Sequence, residues 1–275
     1  FGACMDASDD SSGKAENPKA YRSRWGRFSP SMGWKAFWSE IIIEVLGVLI
    51  ALAANEAVEN WNWQKKVAAG EIKLKREAIP NFQWAAEQVA AGPCIAAQLD
   101  ALQKRLLSSG DVLAPAPVYS DSFRDAFVYR IPTRPYVQSA WQALNNDGTA
   151  SRMDDWRQQL YARLYTQNTD MIERSRTKTE VHSARSLMLS IPIPLNQSTR
   201  AMLLAELLEQ KGHLRLQSIF ALQTMAIMRD LGLAPPAKDV QEYLQNESGT
   251  LAFCKAYGFP VADWRQLLDN EPVQV

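Results

Sequence analysis

Charge of one sign is missing from this chain: 30 Lys and Arg stand against 30 Asp and Glu in 275 residues. Without a net field there is nothing to draw in nucleic acid or an acidic polymer, and a nucleic-acid partner is disfavoured. Histidine is nearly absent. His182 and His213 are the only two, and neither has a second ligand-type residue at metal spacing, so both read as surface or helix-end residues. The sequence contains no Gly-x-Ser-x-Gly, no glycine-rich phosphate loop, no His-Glu-x-x-His and no Cys-x-x-Cys. Accordingly no catalytic residue, metal or cofactor is expected. Asn145-Asn146-Asp147-Gly148-Thr149 starts like a calcium loop, but Ala150 and Trp156 fall where Gly and Glu are required, so it reads as a turn. Acidic candidates such as Asp121, Asp125, Asp154 and Asp155 stand near helix starts, where they usually cap.

Glycine (13) and proline (14) are sparse and clustered, and alternation with period two is nearly absent. That combination excludes a substantial sheet and predicts a mainly α protein with short connections. Apolar content of 47% with 22% charged residues excludes a largely disordered chain.

Long hydrophobic runs are also missing, with one exception. Ile41 to Ala54 reads Ile-Ile-Ile-Glu-Val-Leu-Gly-Val-Leu-Ile-Ala-Leu-Ala-Ala. Extended upstream through Ala36, Phe37 and Trp38, it reaches about 20 residues, enough to cross a hydrocarbon layer of about 30 Å. Trp34 and Trp38 lie at one end and Trp61 and Trp63 at the other, at the headgroup positions that indole rings prefer. The run lacks a cleavage site at its end and reads as a retained anchor. Met5 is a candidate initiator. Phe1-Gly2-Ala3 before Cys4 has the outline of a lipoprotein site, without the apolar stretch that such a site needs.

The predicted organisation is a polar arm over 1–30, a transmembrane helix with aromatic collars over 31–63, and a soluble α-helical domain over 64–275. Basic residues flanking the span are tied, with Lys19, Arg22, Arg24, Arg27 and Lys35 before it and Lys65, Lys66, Lys73, Lys75 and Arg76 after it. Orientation therefore rests on cysteine. Cys94 and Cys254 would form a disulfide in an exported domain or remain two buried thiols in a reducing cytosol. A disulfide, with the short basic arm, favours a cytoplasmic N-terminus and a large periplasmic domain.

Trp38-Ser-Glu-Ile-Ile-Ile-Glu-Val-Leu-Gly-Val-Leu-Ile-Ala-Leu-Ala-Ala-Asn-Glu, running on to Asn60-Trp61-Asn62-Trp63, resembles a group of uncharacterised bacterial single-pass membrane proteins. The resemblance covers residues 35–66. It implies an inner-membrane anchor leading into a helical extracytoplasmic domain of unknown function, and implies no chemistry.

Along the soluble part, Pro80 is expected to break or kink the anchor helix, and Gly92-Pro93 to stop the segment from Phe82. Cys94–Leu107 reads as an amphipathic helix, and 111–134 as irregular, with a turn of helix near Asp121–Phe127. Pro135–Leu144 is expected to be helical. Ser151 and Asp154 are read as a capping box for a long helix from Arg152 to Leu189, and Asn196 or Ser198 as the cap of a second, ending near Leu231. Three short helices near 237–246, 248–257 and 260–270 follow. The aromatics Tyr119, Phe123, Phe127, Tyr129, Tyr136 and Trp141 either line a groove or belong to a loop packed into the core.

Glu40, Glu44, Gly47, Ala51 and Asn55 share one helical face of the anchor. A carboxylate at membrane depth seeks a partner, and Gly47-x-x-x-Ala51 admits a close helix. That face is expected to meet a second copy or another inner-membrane protein; the alternative is that both glutamates snorkel to the membrane edge. The expected role is a non-enzymatic accessory or scaffolding subunit of an envelope complex. A periplasmic ligand or stress sensor acting through a partner, and a membrane-tethered envelope hydrolase, are the alternatives.

Overall fold

A single helix, α1, occupies Trp34–Ser108 in the computed structural model, which describes residues 33–120, 126–188 and 191–270. The predicted arm over 1–30 and the residues Asp121, Phe123 and Asp125 lie outside them. The chain divides into two compact units, Phe1–Ala57 and Val58–Val275.

In the first unit the helix is exposed along nearly its whole surface. The apolar window that qualifies as a membrane span has none of its residues buried, and Ile43, Ile50 and Leu52 are 70%, 61% and 60% exposed. A core helix of a soluble protein would hide these side chains. Trp34, Phe37 and Trp38 cluster at its start, with ring centroids about 6 Å apart.

In the second unit the rest of α1 becomes the central element. Leu74, Phe82, Ile95 and Leu99 from α1 pack with Leu164 and Met171 of α3 (Asp155–Met188) and with Met225, Ile227 and Met228 of α4 (Gln197–Asp230). Ion pairs set the directions. Arg157 of α3 meets Glu71 and Tyr165 meets Glu77, so α3 runs parallel to α1. Lys211 of α4 meets Asp100, while Arg200 reaches the carbonyls of Leu106, Ser109 and Gly110, so α4 runs antiparallel. Arg200 thereby satisfies carbonyls at the C-terminal end of α1, where helical partners run out.

Helices α5 (Ala237–Asn246), α6 (Gly249–Ala256) and α7 (Trp264–Asp269) complete the second unit, with the Trp264 ring edge-on to Phe82 at 5.8 Å. Among the described residues, sheet is limited to two-residue ladders: β1 (Val112–Leu113) with β4 (Ile193–Pro194), and β2 (Tyr119–Ser120) with β3 (Ala126–Phe127), both antiparallel. Of the helical turn expected near 121–127, residues 121–125 lie outside the described residues, and Ala126–Phe127 is strand.

Two expected breaks do not occur. Pro80 and Pro93 both lie inside α1. An interior proline costs about 3 kcal/mol, whereas burying a Phe, Leu or Ile side chain returns about 1.5–3 kcal/mol each. Ala78, Phe82, Val89, Ile95 and Leu99 are buried on either side of the prolines, and Pro93 itself faces outward, so packing holds the helix through both positions.

The predicted boundaries elsewhere are close, with two corrections. Asn196 caps α4, its side chain accepting from the Thr199 amide at 2.7 Å. Ser151 caps nothing: its hydroxyl donates to the Gly148 carbonyl, and a single 3₁₀ turn, Ala150–Arg152, precedes α3. Helix α2 covers Ser139–Asn146, so 135–138 is not helical as expected.

Candidate functional site

The anchor face is assembled by the helix alone. Glu40, Glu44, Gly47, Ala51 and Asn55 all lie in α1, and at 100° per residue they fall within an arc of about 80°. All five are exposed, and a Cβ added at Gly47 would meet nothing within 4 Å. The surface is thus narrow, small at its centre and carboxylate-bearing at one end. Of the collar residues, Trp61 is exposed and Trp63 half-buried, its indole donating to Glu59 at 3.3 Å.

A second set of polar side chains, which sequence reasoning missed, lines the inward face of α1 in the second unit. Gln98 accepts from the Arg130 amide at 2.8 Å. Glu87 accepts from two of the Arg134 guanidinium nitrogens, Nε and Nη2, at 2.7 and 3.1 Å. Asn81 takes both backbone groups of Val137, accepting its N–H at 2.9 Å and donating to its carbonyl at 2.7 Å. Glu77 accepts from the Ser139 hydroxyl and the Ala140 amide at 2.9 and 2.7 Å. Partner numbers rise as positions on α1 fall, so residues 130–140 form a strap running antiparallel to the helix. The lengths agree: Glu77 to Gln98 spans about 31 Å of helix, and ten extended residues reach about 33 Å. Pro132 and Pro135 favour extension at the residues before them. This explains the missing helix over 135–138.

Glu77 also replaces a cap. Gln138, at the N-cap of α2, makes no side-chain capping bond, and the Glu77 carboxylate binds the first turn instead. Tyr165 donates to its other oxygen at 2.7 Å. Burial, then the charge and hydrogen bond of Glu77, raises the Tyr165 hydroxyl well above the ordinary phenol range.

Glu87 is fully buried and saturated. Beyond Arg134, it accepts from Tyr243 of α5 at 3.1 Å and from Ser248, the N-cap of α6, at 2.7 Å. Four donors occupy the four lone-pair sites of the carboxylate, leaving none for a base or nucleophile. Burial and then the Glu87 charge raise the hydroxyls of Tyr243 and Tyr136. Burial works against the Arg134 charge, but the Glu87 hydrogen bond and charge outweigh it and raise its pKa. The arrangement is a fastening between α1, the strap, α5 and α6.

The sulfurs of Cys94 and Cys254 stand 2.08 Å apart, a disulfide joining α1 to α6 as expected. Phe127, Phe253, Tyr119 and Phe259 surround it, so the bridge has its own aromatic sheath beside the main core. Of the other predicted aromatics, Tyr129, Tyr136 and Trp141 are buried, with Trp141 stacked on Tyr165 at 5.5 Å. They belong to a packed covering segment. Asn145–Thr149 is a turn, with Gly148 at φ +75° and the Asp147 carboxylate accepting from the Thr149 amide at 2.9 Å. His213 sits one turn from Glu209 at 3.3 Å, and the His182 side chain lies outside the described residues. Among the described residues no group of three or more His, Cys, Asp or Glu is placed to hold a metal ion. A groove of about 350 Å³ lies beside α5–α7, lined by Leu244, Leu251, Trp264, Lys255, Asp263 and Arg265 among others.

No protein-family model matches the chain, and no curated protein or solved structure is significantly similar to it.

Proposed function

We propose that this chain is a single-pass bacterial inner-membrane protein whose helical body lies in the periplasm. In this reading it is a non-enzymatic accessory or scaffolding subunit of an envelope complex. The observation that carries the reading is the span itself: an apolar helix with its whole window exposed, and Glu44 beside Gly47 and Ala51 on one face. A carboxylate at that depth costs several kcal/mol unless a partner or water pocket meets it. The partner is a second copy or another inner-membrane protein. The bridged pair Cys94–Cys254 supports an oxidising compartment, and with it a cytoplasmic N-terminus. The likeness of residues 35–66 to bacterial single-pass anchors supports the same topology.

Purification of the full chain in mild detergent, followed by mass spectrometry, tests the role. A stoichiometric companion, or a cross-linked homodimer, is the expected result; a monomer with no companion removes the accessory role. A second reading, a sensor acting through a partner, is favoured only by the groove beside α5–α7. It requires a small molecule that raises the melting temperature of the full chain.

A further inference from the structure

The second unit carries cations from two distant parts of the chain to one level of α1. Lys65 lies over the Trp61 ring at 3.4 Å and Lys66 over the Trp63 ring at 4.4 Å. Arg152, from the 3₁₀ turn that precedes α3, lies over the same Trp63 ring at 5.0 Å. Lys65, Lys66, Ser151 and Arg152 are all exposed. Such stacking orients the cation on an aromatic face and leaves its N–H donors for another acceptor.

The height of this collar follows from counting, given the anchor reading above, on which the inference rests. A hydrocarbon core of about 30 Å that begins at Phe37 takes about 20 residues and ends near Ala57. Trp63 is then about 9 Å farther on, some 2–4 Å beyond a headgroup layer about 5–7 Å deep, and its side chain, tilted toward the helix N-terminus, leans back toward that layer. Arg152, held against that ring, reaches the phosphates from the body side. Trp156 is excluded from this contact. Its neighbour Arg157 pairs with Glu71, about 12 Å of helix beyond Trp63.

We propose that the 3₁₀ turn at Ala150–Arg152, with Lys65 and Lys66, is a second membrane contact that binds phospholipid phosphodiesters of the leaflet from which α1 emerges. Glu59 and Asp147 stand close by and hold the local charge near balance, so the contact works by direct hydrogen bonding and not through a long-range field.

Amide hydrogen exchange of the full chain tests this, comparing nanodiscs of phosphatidylethanolamine and phosphatidylglycerol with maltoside micelles, which carry no phosphate. The amides of 149–153 should exchange about fivefold more slowly in discs, the effect of about 1 kcal/mol from a direct hydrogen bond. Residues 155–160 should exchange equally in both. Arg152→Glu should abolish the disc-to-micelle ratio and Arg152→Lys should keep it; using a ratio cancels any local loosening caused by the substitution. A ratio of one at 149–153, or equal slowing at 155–160, in a chain that resists alkaline carbonate overturns the phosphate contact and leaves the anchor intact. A chain stripped by carbonate overturns both.

Discussion

Arg134 and Glu87 form a two-pronged ion pair in which the carboxylate is fully buried and the guanidinium is 30% exposed. The pair fastens the strap to α1 at its midpoint. Arg134→Met leaves a buried charge with two of its four donors gone and should cost about 3 kcal/mol. The double variant Arg134→Met with Glu87→Leu removes the stranded charge and should be more stable than Arg134→Met alone. Urea denaturation of the detergent-solubilised chain measures both; equal stability of single and double variants would refute the assignment.

Cys94 and Cys254 are fully buried and 160 residues apart in sequence. Removing a crosslink that closes so long a loop should cost about 5 kcal/mol on the chain-entropy estimate. The melting temperature should fall in Cys94→Ala, and to the same extent in Cys254→Ala. A wild-type melt unaffected by reductant present throughout unfolding would contradict this.

Alkali should unfold the body before its buried tyrosines titrate. Burial and neighbouring carboxylates raise Tyr165, Tyr243 and Tyr136, and burial with Glu206 pushes Tyr129 up to about 12. Their folded pKa values exceed that of the unfolded phenol, about 10, so this contribution is complete below pH 10 and is lost as pH rises beyond it. Absorbance at 295 nm should show these four tyrosines ionising only together with loss of helical circular dichroism. Ionisation of all tyrosines while the helix signal persists would be the contrary result.

Gly47→Leu should separate insertion from association. No atom stands within 4 Å of an added Cβ, so the substitution strains nothing within the chain and adds apolar surface to the span. Carbonate resistance should be unchanged, while cross-linking through the anchor face falls at least severalfold because close approach is blocked. Undiminished cross-linking would move the contact to another face.

The parts legible in the sequence were those set by neighbours close along the chain. Ile41–Ala54 announces itself by composition, Asn196 by its capping position and α5 by the Pro235-Pro236 pair before it. The strap was illegible because its conformation is dictated from α1: Asn81 and Val137 are 56 residues apart, Glu87 and Ser248 161. Glu77 and Glu87 look like ordinary solvated helix residues until those partners are known. Pro80 and Pro93 misled for the same reason, since their local cost was opposed by burial among side chains of α3 and α4. The anchor face is proposed from the sequence alone, because a glutamate within an apolar run stands out without any tertiary knowledge.

The bridge from α6 to α1 also has a mechanical meaning. A pull on the polypeptide beyond Cys254 would travel through one covalent link into α1, bypassing the strap, α3 and α4. Those elements would stay slack under load, so their shape could be preserved while the far end of the molecule is tugged.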